Sequence, residues 1–241
     1  MTSRLMFQPP LVLDSNAGNA AKNFPISLRV YGSTSDMTEL YRLRYRAFRS
    51  AGWIGETPDH EFLDRYDAME TTVAIGAFHN GDCIGSLRLA FGGSATRAGS
   101  MPCEEQFPVE VGALREANHH RLVEFSRMAV EPSLTNRSFR TTLYASLVRA
   151  GLILTTASGV DAAVIAVHRN VSPFYQAMCG FTVLGTSAFY AGIAEPTHFL
   201  ALPFQTLDER RKRQNAFFAV SAEEIERARI TLAAMRRQVA A

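Results

Sequence analysis

Apolar residues recur along the chain at two spacings, and these divide it into strands and helices. Residues 26–31 alternate and predict a first strand. Asp36 and Glu39 then have capping-box spacing, ahead of a helix with Met37, Leu40, Tyr41, Ala47 and Phe48 at helical positions and Leu43 alongside. Arg44 stands four residues before Phe48 and shares its face. Gly52 ends this helix, and a loop leads through residues 62–67 (FLDRYD) to a hairpin, residues 73–78 and 83–91. Asn80-Gly81 between its arms suits a type I′ turn, because both positions tolerate positive φ. A Gly/Ser/Ala loop over residues 92–100 and one or two short helices over 102–118 come next. Residues 121–132 (RLVEFSRMAVEP) form a strand, followed by a helix over 139–157 and a nearly continuous apolar strand over 160–167. A short helix over 173–178 stops at Cys179-Gly180, and strands follow at 181–186 and 197–202. The last helix runs from about Ala222 to Val239, with Ile225, Ile230 and Met235 among its apolar residues.

This order is an α/β plan with a mixed sheet, in which the right-handed crossover of residues 121–167 makes its two strands parallel. Three parts are expected: an N-terminal arm (1–25) rich in Pro, Asn, Ser and Ala, a domain (26–205), and a C-terminal helical extension (206–241).

Composition narrows the function classes. At 47% hydrophobic and 20% charged residues the balance is globular, and a net charge of +2 carries no nucleic-acid signature. No apolar run is long enough for a membrane helix, so no transmembrane segment is expected. Gln8, Pro9 and Pro10 interrupt the N-terminal apolar residues, unlike a secretory signal. Cys83, Cys103 and Cys179 are odd in number and widely spaced; they predict reduced thiols in a cytoplasmic protein, with neither disulfides nor a metal site.

Two charges break the most apolar strand. Glu124 and Arg127 sit among Leu122, Val123, Phe125, Met128 and Val130, where each is costly unless paired or used. A structural ion pair is one account; a functional role is the other. Three residues apart, they point to opposite faces of a regular strand. A bulge at about residues 125–128 would bring both to one face and splay the strand from its neighbour.

The block AAVIAVHRNVSPFYQAMCGFTVLG, with Tyr175 ahead of Gly180-Phe181, resembles the later half of GNAT-type N-acyltransferases. There the strand and helix of residues 121–157 would be the acyl-carrier binding unit. Its usual Gly-rich turn is replaced by SLTNRSFR (133–140), a departure from ordinary acetyl-coenzyme A sites. Asn136, Arg137, Ser138 and Arg140 remain to grip a single phosphate of a phosphopantetheine arm, with Tyr175 nearby.

A narrower resemblance, to acyl-homoserine-lactone (autoinducer) synthases and N-acyl amino acid synthases, is carried by four groups in order. These are Arg44, Phe48 and Trp53; the pair Asp64 and Asp67 around a Tyr; Arg88 after Gly85; and Glu124 with Arg127. Together the resemblances span about residues 28–202. Where autoinducer synthases follow the strand Arg with Leu-Leu-Pro, this chain has Leu89-Ala90-Phe91-Gly92, which favours the N-acyl amino acid synthase branch.

The resemblance implies a mixed, mostly antiparallel GNAT-like sheet flanked by helices, with a splayed central strand. It implies an N-acyltransferase that moves a long-chain acyl group from an acyl-carrier-protein thioester to the amino group of an amino acid. Acyl-coenzyme A is the lesser alternative donor, and no cofactor is held. An autoinducer synthase using S-adenosylmethionine and a non-catalytic GNAT-like binding module are the other readings. Glu124 would be the base, or else only balance Arg88 and Arg127. Backbone N–H groups near Met128 and Val130 would face the developing oxyanion. Arg44, Asp64, Asp67, Arg88 and Arg127 would form a cluster that positions the acceptor or pins the N-terminal region, while Phe48 and Trp53 line the pocket or simply fill the core. Acidic carrier protein could meet Arg137, Arg140, Arg149, Arg169 and the basic run 210–213. His119, His120 and His168 are further candidates by residue type, but His168 ends a strand next to Arg169-Asn170 and reads as a capping or surface residue, and Ser126 lacks partners for nucleophilic catalysis.

Overall fold

Strands β3 (Thr72–His79) and β4 (Asp82–Phe91) are buried along nearly their whole length, which requires helices on both faces of the sheet. The computed structural model describes residues 11–13, 25–33, 35–92, 101–187, 190, 196–204 and 219–239. The hairpin turn has Asn80 at φ +52° and Gly81 at +93°, as its sequence predicts. Around it lie β1 (Leu11–Leu13), β2 (Ser27–Gly32), β5 (Leu122–Val130), β6 (Ala162–His168), β7 (Thr182–Ser187) and β8 (Thr197–Pro203). They form one sheet in the order β1-β2-β3-β4-β5-β6-β8-β7. The β5–β6 pair is parallel and the other six pairs are antiparallel.

One face is covered by α4 (Arg137–Ser158), whose Leu143, Leu147 and Leu154 join Leu87, Leu89, Val123 and Ile165 in the main core. Gly151 permits the close approach: a Cβ there would stand 2.7 Å from the Phe125 ring. Asn136 caps this helix by accepting the Phe139 N–H at 3.0 Å. Asn136→Ala is expected to lower stability by about 1 kcal/mol, read from the urea midpoint.

The other face carries α1 (Thr38–Ser50), α2 (Cys103–Gln106) and α3 (Pro108–Glu116). Phe107, Val111 and Leu114 pack on Leu122, Val164 and Phe199, while Leu43 and Phe48 of α1 meet Ala129. The capping box expected at Asp36 is not the observed start of α1. Met37 flanks the helix without a side-chain cap, and Asp36 accepts the Thr38 N–H instead.

Both ends pack onto the domain. Within the predicted arm, Leu11–Leu13 pairs with β2 and forms the edge of the sheet. In α6 (Ala222–Val239) Ala228, Thr231 and Leu232 are buried, Met235 packs against the main core, and Ile230 is 58% exposed. Four residues from Ala228 to Leu232 keep one face, and position 230 falls outside it. An unforeseen capping box starts α6: Ser221 N–H donates to Glu224 at 2.9 Å and Glu224 N–H to Ser221 Oγ at 3.2 Å. An Arg149–Glu224 ion pair at 2.6 Å ties this helix to α4. Residues 93–100, the basic run 210–213 and most of the arm lie outside the described residues.

Candidate active site

The β4–β5 ladder slips by one residue. Arg88 faces Ser126 and Ser86 faces Ala129, so three steps on β5 answer two on β4. Arg127 takes up the excess in the left-handed region, at φ +53°. Glu124, Ser126 and Arg127 thereby share the α1–α2 face, whereas Met128 packs into the α4 core. On its other edge β5 pairs with β6 through Leu122–Ala162 to Phe125–Ile165 and then stops. Because β6 continues along β8 to His168, the two strands separate beyond that point. The bulge and the splay inferred from strand parity are both present.

The arginines and aspartates converge under the bulge. A 3-10 turn, Arg65–Ala68, presents the two carboxylates: Asp64 Oδ1 accepts the Tyr66 N–H at 2.9 Å and Asp67 Oδ2 the Asp64 N–H at 3.0 Å. Arg44 donates to Asp67 at 2.7 Å and to Ser86 Oγ at 3.0 Å. Arg88 reaches Asp64 at 2.6 Å, Asp67 at 2.9 Å and Ser126 Oγ at 3.0 Å. Arg127 pairs with Asp64 at 2.5 Å and lies 4.4 Å over the Phe62 ring. Arg44 and Arg88 are 0% exposed and Asp67 1%. Burial pushes Asp64 up, but the hydrogen bonds and charges of Arg88 and Arg127 outweigh it and hold the carboxyl at about 2.

Glu124 is bonded elsewhere. Its Oε2 accepts the Cys103 N–H at 2.7 Å, and its Oε1 accepts the Tyr190 hydroxyl. Complete burial raises the carboxyl to about 7, outweighing the lowering effects of Cys103 and of the Arg88 and Arg127 charges. A carboxyl poised there exchanges protons near neutrality. Burial, with Glu124 adding to it, pushes the Cys103 thiol well up, so it stays protonated and is no nucleophile.

A cavity of about 810 Å³ opens where β5 and β6 part. Residues 125–130 form one wall and 165–168 the other, with Arg137, Arg140 and Tyr144 of α4 at one side. Helix α5 (Ser172–Cys179) contributes Phe174 and Tyr175. Of the residues singled out in the sequence, Phe48, Trp53, Arg127, Met128, Val130, Arg137, Arg140 and Tyr175 line this cavity. Arg44, Asp64, Asp67 and Arg88 stand behind it as the ion-pair network. Asn136 and Ser138 are exposed at the start of α4 and are not among the lining residues. Arg127 also borders a second cleft of about 460 Å³ with Phe62, Asp64, Tyr66 and Glu105. Tyr190, Cys103 and Phe62 were not foreseen. Their contacts cross 21 to 66 residues of sequence and carry no local signature. Among the described residues no His/Cys/Asp/Glu group could hold a metal ion, and no helix is long and apolar enough to cross a membrane.

Solved structures share this architecture. FeeM, an N-acyl amino acid synthase from uncultured soil microbes, superposes with a TM-score of 0.64 at 18% identity, covering 77% of this chain and 93% of that one. The AHL synthase LasI gives 0.61 at 16% identity, over 82% and 98% of the two chains. BjaI, a CoA-dependent acyl-homoserine lactone synthase solved with SAM and isopentyl-CoA, gives 0.54 at 20%, over 83% and 97%. No curated protein sequence matches the chain. The sequence profile of the family described as N-acyl amino acid synthase FeeM, however, matches residues 39–203, more than half of the 241. With its GNAT-like sheet, the chain therefore belongs to the FeeM N-acyl amino acid synthase family and is an acyltransferase.

Proposed function

We propose that the protein transfers a long-chain acyl group from an acyl-carrier-protein thioester to the amino group of an amino acid, with residues 26–205 as the catalytic domain. The observation that carries this is the cavity between β5 and β6, which joins the α4 arginines to the bulge beside Glu124. Its volume lies within the roughly 300–1,000 Å³ of small-molecule sites. Arg137 and Arg140 offer charge to a phosphate at the start of α4, where the first backbone N–H groups point outward. Phe125, Met128, Ile165 and Phe174 offer an apolar surface to an acyl chain.

In this reading the thioester carbonyl lies against β5 past residue 125, where the β6 ladder has ended and backbone N–H groups can meet the oxyanion. Arg127, on the same wall, meets the acceptor carboxylate. Glu124, with its near-neutral carboxyl, is where the ammonium proton ends up.

The test is incubation with carrier protein charged with saturated acyl chains and a mixture of the amino acids, with products read by mass. N-acyl amino acids are expected, formed faster than from the matching acyl-coenzyme A. Acyl-homoserine lactone formed only when S-adenosylmethionine is added would instead assign the autoinducer reaction. Absence of any product from folded protein with either donor would overturn the proposed donor and acceptor.

A further inference from the structure

Glu124 has the proton affinity of a base but no access to a substrate. It is 0% exposed and borders neither the cavity nor the second cleft. Both carboxylate oxygens are occupied, one by the Cys103 N–H and one by the Tyr190 hydroxyl. Tyr190 is 5% exposed, rests against Phe107 with ring centroids 6.2 Å apart, and lines the cavity. Among the described residues it is the side chain that both bonds Glu124 and borders the cavity. The nearby wall residues offer no substitute. Arg127 carries a guanidinium, which has no lone pair for a proton, and Ser126, whose Oγ accepts from Arg88, makes no hydrogen bond to Glu124, whose oxygens take Cys103 and Tyr190.

We propose that Tyr190 is a further catalytic residue, whose phenol passes the proton of the acceptor's ammonium group to Glu124. The inference rests on the reading of Glu124 as the base. The ammonium proton moves to Tyr190 Oη while the phenolic hydrogen moves to Glu124 Oε1, leaving a neutral amine, a neutral phenol and a protonated carboxyl. The amine nitrogen then forms its bond to the thioester carbonyl carbon and the C–S bond breaks. The nitrogen's second proton goes to the departing thiolate, so that amide and thiol are both neutral. Glu124 returns its proton through the same phenol to solvent after the products leave.

Groups facing Glu124 are Cys103 from α2, Arg88 from β4, Arg127 on β5, Tyr66 from the 3-10 turn, and Tyr190 itself. The arginines stay charged and the thiol stays protonated through the neutral range, so among the groups facing Glu124 a limb in rate there, lost in Glu124→Gln, reports the Glu124–Tyr190 pair.

The experiment compares Tyr190→Phe, Glu124→Gln and the double variant, using whichever acyl-carrier thioester and amino acid give product with the parent enzyme. Melting temperature serves as the folding control. Tyr190→Phe is expected to lower kcat by about a hundredfold or more, with KM changed only a few-fold. The double variant should be no worse than the poorer single one, because the two residues act as a unit. Both penalties should shrink as the pH rises to where free amino acid is already neutral. Normal kcat in Tyr190→Phe beside a slow Glu124→Gln overturns the relay and leaves the base reading standing. Normal kcat in Glu124→Gln ends both. Multiplying penalties in the double variant also overturn the relay. If Tyr190→Phe does not fold, 3-fluorotyrosine at position 190 replaces it: a more acidic phenol on Glu124 moves the acidic limb to lower pH, and an unmoved limb overturns the relay.

Discussion

Asp67→Ala is expected to lose about 3–5 kcal/mol of stability, enough to leave the chain largely unfolded if its reserve is ordinary. The reason is the location of the charges rather than their number. Asp67 takes Arg44 on one oxygen and Arg88 on the other, and all three side chains are essentially sealed from solvent. Removing the carboxylate leaves Arg44 with only the Ser86 hydroxyl and Arg88 with one carboxylate instead of two, where water cannot reach them. It also removes the Oδ2 that caps the 3-10 turn through the Asp64 N–H, so the neighbouring carboxylate loses its placement. Asp64 is the control. Its side chain is 22% exposed, so Asp64→Ala leaves Arg88 and Arg127 beside a partly wet vacancy and should cost less. Urea denaturation at neutral pH measures both. Equal losses, or an Asp67→Ala unfolding free energy within about 1 kcal/mol of the parent, would refute the argument from burial.

Glu124→Gln should lower kcat by about a hundredfold to ten-thousandfold and, at the same time, stabilise the fold above neutral pH. The two effects have opposite signs because they share one cause. Burial holds the carboxyl at about 7, against an ordinary value near 4.5. The folded state thus binds a proton that the unfolded chain has released. This contributes stability that is full below the unfolded value and is lost as the pH rises through about 7, a change of a few kcal/mol in order of magnitude. Glutamine keeps the shape and never ionises, so this part of the pH dependence should vanish. Catalysis depends on the opposite form. The parent rate should climb with pH through about 7, and the variant should lack that limb. A variant that is slow but shows no change in its stability profile would mean that Glu124 is not buried in an ionisable state.

Much of the site was legible in the sequence because its chemistry is out of place there. Glu124 and Arg127 interrupt an apolar strand, and their odd separation conflicts with strand periodicity; a bulge resolves both facts, and it is present. Asp64 and Asp67 are close in sequence, so one turn presents both. The missing parts depend on distance. Tyr190 meets Glu124 across 66 residues, in a connection without motif or period, and nothing local singles it out. Leu11–Leu13 was lost in a composition typical of arms, because three residues are too few to show alternation. The C-terminal helix was legible with its bounds, but apolar identity alone does not say which of its residues face inward: Ile230 is exposed. Asn136 and Ser138 were grouped with Arg137 and Arg140 by proximity, yet successive positions on a helix start point in different directions, and only the arginines reach the cavity.

Arg127 holds its φ of +53° in a region where only glycine rests without penalty, and for another residue that geometry costs about 1–2 kcal/mol. Selection for robustness alone would put glycine at this point of β5. Glycine, however, could neither reach Asp64 nor lie across Phe62. An evolving or engineered descendant therefore faces a forced choice at one codon, between a relaxed main chain and a guanidinium at the junction of the two hollows.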